Sequence, residues 1–254
     1  MSSSPIVQTL WDARIPLHIT HASSPPSTPP LITSAPRFGY LALLAPRLTA
    51  YFGLASSSFH FQDVELRNLP VGLLADLHRP SLPFRLVVSD GPAWDVADTF
   101  LNCVKEADFV RRGNANCVMA MSKEHTARLW HAVVDNDRAG FWAVHARLLD
   151  APAALRHVPL RVYVPAPASV DGEAASASFR VVQALVSPGG SDGRPRLLGQ
   201  VLKELMPRLF PSARDPVLAG VVMHGVGVPF GAPLEELMRE AAYPDGWLCL
   251  VVTV

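Results

Sequence analysis

The spacing of apolar residues predicts the same order of elements twice, on either side of a helical stretch. Apolar and polar residues alternate over 15–20 and again over 158–164, which is typical of strands with one buried face. Over 95–149 the apolar residues instead recur at three- and four-residue steps, as in helices. We therefore expect an α+β chain in which two mixed parts flank a helix-rich part.

The first part is predicted to alternate strands and short helices. Its serine- and proline-rich run 22–36 is typical of an extended, mobile loop, which makes 38–44 the second strand. Pro46 suits a helix start, and Leu48, Tyr51 and Phe52 would form the buried side of that helix. The predicted helices cover 5–13, the stretch from residue 46, and 70–77, and the predicted strands cover 15–20, 38–44, 59–64, 65–69 and 84–88.

The last part repeats this order with little sequence identity to the first. Its predicted strands cover 158–164, 179–186, 217–223 and 247–254, and its predicted helices cover 198–205 and 233–238. The serine- and glycine-rich run 187–195 is predicted to be a loop, and Gly225-Val226-Gly227 a turn.

The first helix of the middle part is expected to end near Gly113. Its apolar residues share one face, at Phe100, Cys103, Val104, Ala107 and Val110. Lys105 lies roughly 120° from the middle of that face and should point to water. Asp108, three residues on, is the expected charge partner of Lys105. Ser122 is expected to cap a second helix, and Asp135 or Asn136 a third, with Pro152 closing the segment.

Short motifs along the chain resemble, in order, those of the autophagy protein 5 family. The most specific is the run Phe100-Leu101-Asn102-Cys103-Val104-Lys105-Glu106-Ala107-Asp108. The others are Leu10-Trp11 with Arg14-Ile15-Pro16, Pro70-Val71-Gly72-Leu73-Leu74, Leu129-Trp130, Asn136-Asp137-Arg138 with Phe141-Trp142, Met223-His224-Gly225 and Tyr243-Pro244-Asp245.

The resemblance implies two ubiquitin-like β-grasp domains, over 1–90 and 153–254, that flank a helix-rich domain over 91–152. It implies that Lys105 accepts an isopeptide bond from the C-terminal glycine of a ubiquitin-like modifier, autophagy protein 12. A conjugating enzyme of the autophagy protein 10 type would deliver that modifier. The final strand reaches Val254 without a glycine tail, so we expect an acceptor of a modifier and not a donor.

The resemblance further implies a ligase-like complex with autophagy protein 16, whose coiled coil dimerises the assembly. With a conjugating enzyme of the autophagy protein 3 type, the complex would attach autophagy protein 8 to phosphatidylethanolamine during autophagosome formation. The chain would then lie peripherally at the preautophagosomal membrane. Two alternatives stay open: a purely non-covalent scaffold with Lys105 idle, and a β-grasp adaptor unconnected with autophagy.

The N-terminal helix supplies the candidate residues for binding the coiled-coil partner. Ser4 is its expected N-cap, and Ile6, Leu10 and Trp11 are predicted to share an apolar face, with Arg14 just beyond. So short a helix needs the body of the protein or a partner to hold it. The alternative is that Trp11 packs on its own β-grasp domain.

Composition excludes several classes of function. Lys plus Arg and Asp plus Glu are equal at 22 each, so no basic field predicts nucleic-acid binding. Three cysteines, widely spaced, fit a reducing compartment, and neither a membrane span nor a signal peptide is predicted, so we expect a cytoplasmic protein.

Motifs for catalysis, metals or cofactors are not found in the sequence. No nucleophile elbow, phosphate loop or zinc-binding spacing occurs, and Gly225-Val226-Gly227 does not follow a dinucleotide-binding unit. Cys103 lies on the apolar face of its helix, so a buried, unreactive thiol is expected there. We therefore predict a non-catalytic scaffold without cofactors.

Overall fold

The computed structural model describes residues 4–149, 155–165, 179–190 and 193–254. Its first part contains helices α1 (Pro5–Asp12), α2 (Ala45–Phe52) and α3 (Val71–His78), and strands β1 (Arg14–His21), β2 (Leu31–Pro36), β3 (Ser58–Phe61), β4 (Val64–Glu65) and β5 (Phe84–Ser89). The strands form one sheet in the order β2-β1-β5-β3-β4. The central pair β1 and β5 is parallel, and the outer pairs are antiparallel. This is the arrangement predicted for a β-grasp domain.

Alternation along β1 builds the core of this sheet. Ile15, Leu17 and Ile19 are all buried, as the period of two predicts, and they share a core cluster with Leu48 of α2 and Leu74 of α3. Tyr51, which was expected on the buried side of α2, is instead 44% exposed. Its hydroxyl donates to the carbonyl oxygen of Pro29 at 3.3 Å.

The second strand differs from its prediction. The strand is β2, which lies inside the run 22–36 predicted as a loop and pairs with β1. The apolar run 38–44 is a turn followed by a 3₁₀ helix over Leu41–Leu44. Phe38 and Tyr40 are buried because they pack against other parts of the chain, so their apolar character reflects core contacts and not a strand. Ile32 of β2 is 61% exposed, as suits a sheet edge.

The middle part is helical, as predicted. Its helices are α4 (Val96–Arg112), α5 (Asn116–Met119), α6 (Lys123–Val134) and α7 (Arg138–Leu149). Gly113 ends α4 with a φ of +78°, and the Ser122 side chain caps α6. The predicted cap of the third helix was off by one residue, because Asp137 Oδ1 accepts from Gly140 N at 3.0 Å. The short α5 was not predicted.

The last part repeats the first. It contains strands β6 (Val158–Pro165) and β7 (Phe179–Val186), helix α8 (Leu198–Leu205), strands β8 (Gly220–Met223) and β9 (Val226–Gly227), helix α9 (Leu234–Ala241) and strand β10 (Leu248–Thr253). The sheet order is β7-β6-β10-β8-β9, with β6 and β10 parallel at its centre. The strand predicted over 217–223 begins three residues later, and the predicted turn at Gly225 leads into β9.

The parts share one core. A central cluster combines Trp11 and Phe38 of the first part with Phe100 of α4 and Tyr243 and Trp247 of the last part. The α+β prediction of two ubiquitin-like domains around a helix-rich one is confirmed. The proposed domain boundary between 90 and 91 lies between β5 and α4. The proposed boundary between 152 and 153 lies outside the described residues, as does Pro152, which was expected to close the helical segment.

Candidate functional site

Lys105 lies in the middle of α4, on a partly exposed surface. The helix begins at the N-cap Asp95, whose Oδ1 accepts from Asp98 N at 2.9 Å. Lys105 is one turn after Asn102, and its Nζ donates to Asn102 Oδ1 at 3.4 Å. Phe109, one turn further on, is 57% exposed, so this side of α4 faces outward as the helical period predicts.

Asp108 is not the charge partner of Lys105, which corrects the expectation from spacing. Its side chain is fully buried, and its Oδ1 accepts from Arg112 Nε at 2.9 Å. Its Oδ2 accepts from the backbone N of Val118 in α5 at 3.3 Å. Asp108 therefore ties the last turn of α4 to α5. Among the described residues, no carboxylate lies within ion-pair distance of Lys105.

The other carboxylate of the run is engaged with the last part of the chain. Glu106 Oε2 accepts from Arg161 Nη2 of β6 at 2.7 Å. The Arg161 guanidinium lies 3.9 Å from the centre of the Trp247 ring. Trp247 Nε1 in turn donates to the carbonyl oxygen of Cys103 at 3.1 Å. The turn of α4 that carries Lys105 is thus fixed on one flank by Arg161 and Trp247.

Cys103 is half-buried and not fully buried as expected, and Arg161 Nη1 donates to its Sγ at 3.6 Å. Desolvation by burial raises the pKa of the Cys103 thiol, with Asp245 adding to the rise, so the thiolate needed for nucleophilic chemistry is disfavoured. Burial also raises the pKa of the Cys249 thiol well above its usual value.

Arg111 is a buried cation that the sequence pattern did not single out. It is 2% exposed, and its Nη2 donates to the carbonyl oxygen of Gly246 at 2.8 Å. Burial lowers the pKa of Arg111 to about 10. Gly246 has a φ of +88°, and a Cβ there would lie 2.8 Å from Arg111 Nη2, so the turn needs glycine. The one sequence signal was the neighbouring Tyr243-Pro244-Asp245 motif, which carried no stated role.

The candidate partner-binding residues of α1 do not share a face. Ile6 is 54% exposed and Leu10 is half-buried, whereas Trp11 is only 4% exposed, and Val7 takes the inward place predicted for Ile6. The Trp11 ring lies 5.3 Å from Phe38 and 5.0 Å from Phe141. Trp11 therefore packs inside the protein, against α7 of the helical part as well as against the first β-grasp domain to which the alternative interpretation assigned it.

Arg14 is exposed and contacts its own sheet. It donates to Ser34 Oγ through Nε and to the Ser34 carbonyl oxygen through Nη2, each at 2.9 Å. Of the four candidates, Ile6 and Arg14 are exposed, and Ile6 is the apolar one of the two.

The described residues contain no group of three or more His, Cys, Asp or Glu side chains placed to hold a metal ion. Within the same residues, no helix is long and apolar enough to cross a membrane.

Comparison with protein families accounts for most of the chain. Residues 10–89 match the family described as "Autophagy protein ATG5, UblA domain". Residues 95–151 match "Autophagy protein ATG5, alpha-helical bundle region", and residues 157–252 match "Autophagy protein ATG5, UblB domain". The chain belongs to the autophagy protein 5 family.

Two relatives in this family align with the chain over almost their full length. Autophagy-related protein 5 of Gibberella zeae is 65% identical over 254 residues, and the alignment covers 99% of each chain. Autophagy-related protein 5 of Beauveria bassiana is 61% identical over 269 residues, again with 99% of each chain covered. As a member of this family, the chain has a role in autophagy. The alternative of a β-grasp adaptor unconnected with autophagy is therefore excluded.

The fold is shared with a solved member of the family. The crystal structure of Kluyveromyces marxianus Atg5 superposes with a TM-score of 0.78, over 98% of this chain and 99% of that one, at 19% sequence identity. At that identity the likeness supports the fold alone.

Proposed function

We propose that this chain is the acceptor and scaffold subunit of an autophagy conjugation complex, with autophagy protein 12 attached to Lys105. The observation that carries the proposal is the placement of Lys105: it lies half-buried within the family-like run, on an outward side of α4, and its Nζ donates to the neutral amide oxygen of Asn102. The chain has two other lysines, Lys123 and Lys203, and neither lies in such a run.

The proposed step is aminolysis of a thioester. The neutral Nζ of Lys105 attacks the carbonyl carbon of the modifier's terminal glycine, which is held as a thioester on a cysteine of the autophagy protein 10 type enzyme. A C–N bond forms, the C–S bond breaks, and the enzyme's sulfur leaves as a thiolate that takes up the proton lost by the nitrogen. Because only a neutral amine can attack the thioester, the enzyme must supply a base or desolvation.

This chain is proposed to be non-catalytic in that reaction. The raised pKa of the Cys103 thiol supports this assignment, since a modifier-carrying cysteine needs an accessible thiolate. The conjugate would bind autophagy protein 16 and, with an autophagy protein 3 type enzyme, promote attachment of autophagy protein 8 to phosphatidylethanolamine. It would act in the cytoplasm, peripherally at the preautophagosomal membrane. We keep 1–90, 91–152 and 153–254 as its proposed domains.

The substitution Lys105→Arg tests the acceptor assignment. Arginine keeps the charge and the helix propensity but cannot act as an amine nucleophile. We expect the variant to keep its melting temperature and to lose the detergent-stable conjugate on a denaturing immunoblot, together with downstream lipidation. Lys123→Arg and Lys203→Arg are the matched controls, and both should still be conjugated.

The outcomes separate the acceptor from the non-covalent scaffold. A conjugate that persists in Lys105→Arg and maps to Lys123 would overturn the assignment of Lys105. If the unmodified protein gives no conjugate when supplied with its enzymes and a glycine-ended modifier, the chain binds its modifier only by surface contact.

A further inference from the structure

Both carboxylates beside Lys105 are held by arginines in the folded chain. Asp108 is buried against Arg112, and Glu106 pairs with Arg161 of β6 at 2.7 Å. These two arginines approach from different directions: Arg112 is on α4 itself, whereas Arg161 belongs to the last part of the chain. Lys105 contacts the neutral oxygen of Asn102 instead.

The position of Arg161 is fixed independently of Glu106. Its guanidinium stacks on the Trp247 ring at 3.9 Å and donates to Cys103 Sγ at 3.6 Å. The Arg161 side chain is 13% exposed, whereas Glu106 is 58% exposed. The arginine is therefore the anchored partner, and it holds the more exposed Glu106 toward β6.

A released Glu106 would have access to the surroundings of the Lys105 amine. Asn102 is four residues before Glu106 and three before Lys105, so both side chains are neighbours of the same amide on the helix surface. A carboxylate there favours the protonated form of an adjacent amine, and a protonated amine cannot attack a thioester.

We propose that Arg161 is a positioning residue for amide formation at Lys105: by holding Glu106 against β6, it keeps that carboxylate away from the acceptor amine. The inference rests on the proposed conjugation at Lys105 and adds the residue that sets the amine's electrostatic surroundings. Arg161 acts through Glu106 and touches neither the modifier nor the reacting atoms.

Other charged and titratable groups lie on α4 and on the elements packed against it. Charged and titratable residues of the elements packed against α4 are Arg161 and Tyr163 on β6, Asp245 and Cys249 at β10, Cys117 on α5, and Lys123, Glu124, His125, Arg128 and His131 on α6. On α4 itself they are Asp98, Cys103, Glu106, Asp108, Arg111 and Arg112. Within this described set, Arg161 is the cation that pairs with Glu106.

The test measures the amine directly, without the conjugation enzymes. The purified full chain is treated with S-phenyl thioacetate, and acetylation of each lysine is followed by peptide mass spectrometry. The amine nitrogen attacks the carbonyl carbon, the C–S bond breaks and thiophenol leaves, while buffer takes the surplus proton. Lys123 and Lys203 report, in the same sample, any general change in folding or reagent.

Arg161→Met removes the charge and keeps an apolar contact with the Trp247 ring. We expect acetylation of Lys105 at pH 7 to slow by about three- to tenfold, since one pKa unit corresponds to tenfold. The deficit should shrink as the pH rises, because more of the amine is then neutral in both proteins. The double variant Arg161→Met with Glu106→Gln should recover the wild-type rate, which a purely structural role of Arg161 would not allow.

Two comparisons complete the design. Glu106→Gln alone should react like the wild type, because its carboxylate is already held away. Arg196→Met releases Glu204 from a similar pair on the last part of the chain and should leave Lys105 unchanged.

An unchanged Lys105 rate in Arg161→Met, or a double variant as slow as the single one, would overturn the proposal. A faster rate in Glu106→Gln would do so as well. Because the reagent needs no modifier, these acetylation rates test the role of Arg161 separately from conjugation. A conjugate that maps to another lysine would contradict the proposed function and would leave the acetylation rates unchanged.

Discussion

At the scale of single residues, the C-terminal part of α4 buries three charged side chains. Asp108, Arg111 and Arg112 are all buried. Arginines in a last turn are normally read as solvated partners of the helix dipole. Here the second β-grasp domain covers Arg111 and α5 covers Asp108, so the burial depends on neighbours that the local spacing does not show.

The buried pair leads to a prediction for stability. Asp108→Ala should lower the free energy of unfolding by about 3–5 kcal/mol, because it leaves the buried Arg112 without its carboxylate. Urea denaturation measures the loss. Glu235→Ala breaks an exposed ion pair with Arg239 and should cost under about 1 kcal/mol. Equal losses in the two variants would show that burial of Asp108 does not matter.

The sequence located the candidate acceptor but not the residues around it. Lys105 was found because its motif is local and helical spacing gives its direction. Arg161 is 55 residues away from Glu106, and only the fold brings the two together. The prediction that Asp108 is the charge partner of Lys105 is wrong for the same reason. Helical spacing alone does not show that the backbone of α5 donates a hydrogen bond to the Asp108 carboxylate.

At the scale of elements, apolar strands are predictable from the sequence and the polar strand β2 is not. Apolar alternation predicts β1, and apolar content predicts β7, although β7 also lies at a sheet edge. β2 lies at the sheet edge in a polar, proline-rich run, so composition pointed to a loop. The expectation that the whole run is a loop is wrong, because Leu31 and Thr33 pair with β1.

The N-terminal helix α1 gives a prediction for partner binding. We propose that a coiled-coil partner contacts α1 through Ile6, with Leu10 at the border of the contact. Ile6→Ser should weaken that complex without changing the melting temperature, because Ile6 is 54% exposed. A titration of the partner by calorimetry measures the dissociation constant, and an unchanged value would remove α1 from the interface.

Trp11→Ala serves as the contrasting variant. It removes a ring packed between Phe38 and Phe141, so we expect it to destabilise the protein by about 3–5 kcal/mol. A loss of binding in that variant would therefore report on folding, whereas a loss in Ile6→Ser reports on contact.

At the scale of the whole molecule, side chains from distant segments fix the first β-grasp domain against the last. Asp76 of α3 pairs with the buried Arg37 at 3.3 Å, and burial raises the pKa of its carboxyl while Arg37 and the backbone amides of His224 and Gly225 oppose the rise. Phe38 packs on His224 and Tyr243, with ring centres 5.6 Å apart in each case. Gly72 leaves the space that Arg37 fills, since a Cβ there would collide with its side chain. These contacts give physical roles to motifs that the sequence marked only by resemblance.

The buried histidine at this junction makes stability depend on pH. His224 Nε2 lies 2.8 Å from the carbonyl oxygen of Ala241. Burial, and to a smaller extent Arg37, lowers the pKa of His224 to about 4, whereas an unfolded histidine has a pKa near 6.5. The unfolded chain therefore binds the proton first as the pH falls. The stability that neutral His224 contributes is complete above pH 6.5 and is lost progressively toward pH 4.

His224→Phe should reduce this acid sensitivity. The variant loses the hydrogen bond to Ala241, so at pH 8 its free energy of unfolding should drop by about 1–3 kcal/mol. Between pH 6.5 and 4.5, however, its stability should fall less steeply than that of the wild type, by up to about 1.4 kcal/mol per pH unit. Burial raises the pKa of Asp76, so protonation of Asp76 favours the folded chain as the pH falls, which is opposite to the effect of His224. Both proteins contain Asp76, so its contribution largely cancels when their slopes are compared. Urea denaturation across the pH range measures the slopes, with His131→Phe, at an exposed position of α6, as the control for replacing a histidine. Parallel slopes for His224→Phe and the wild type would mean that protonation of His224 does not oppose folding, and the junction between the two β-grasp domains would then tolerate the charge.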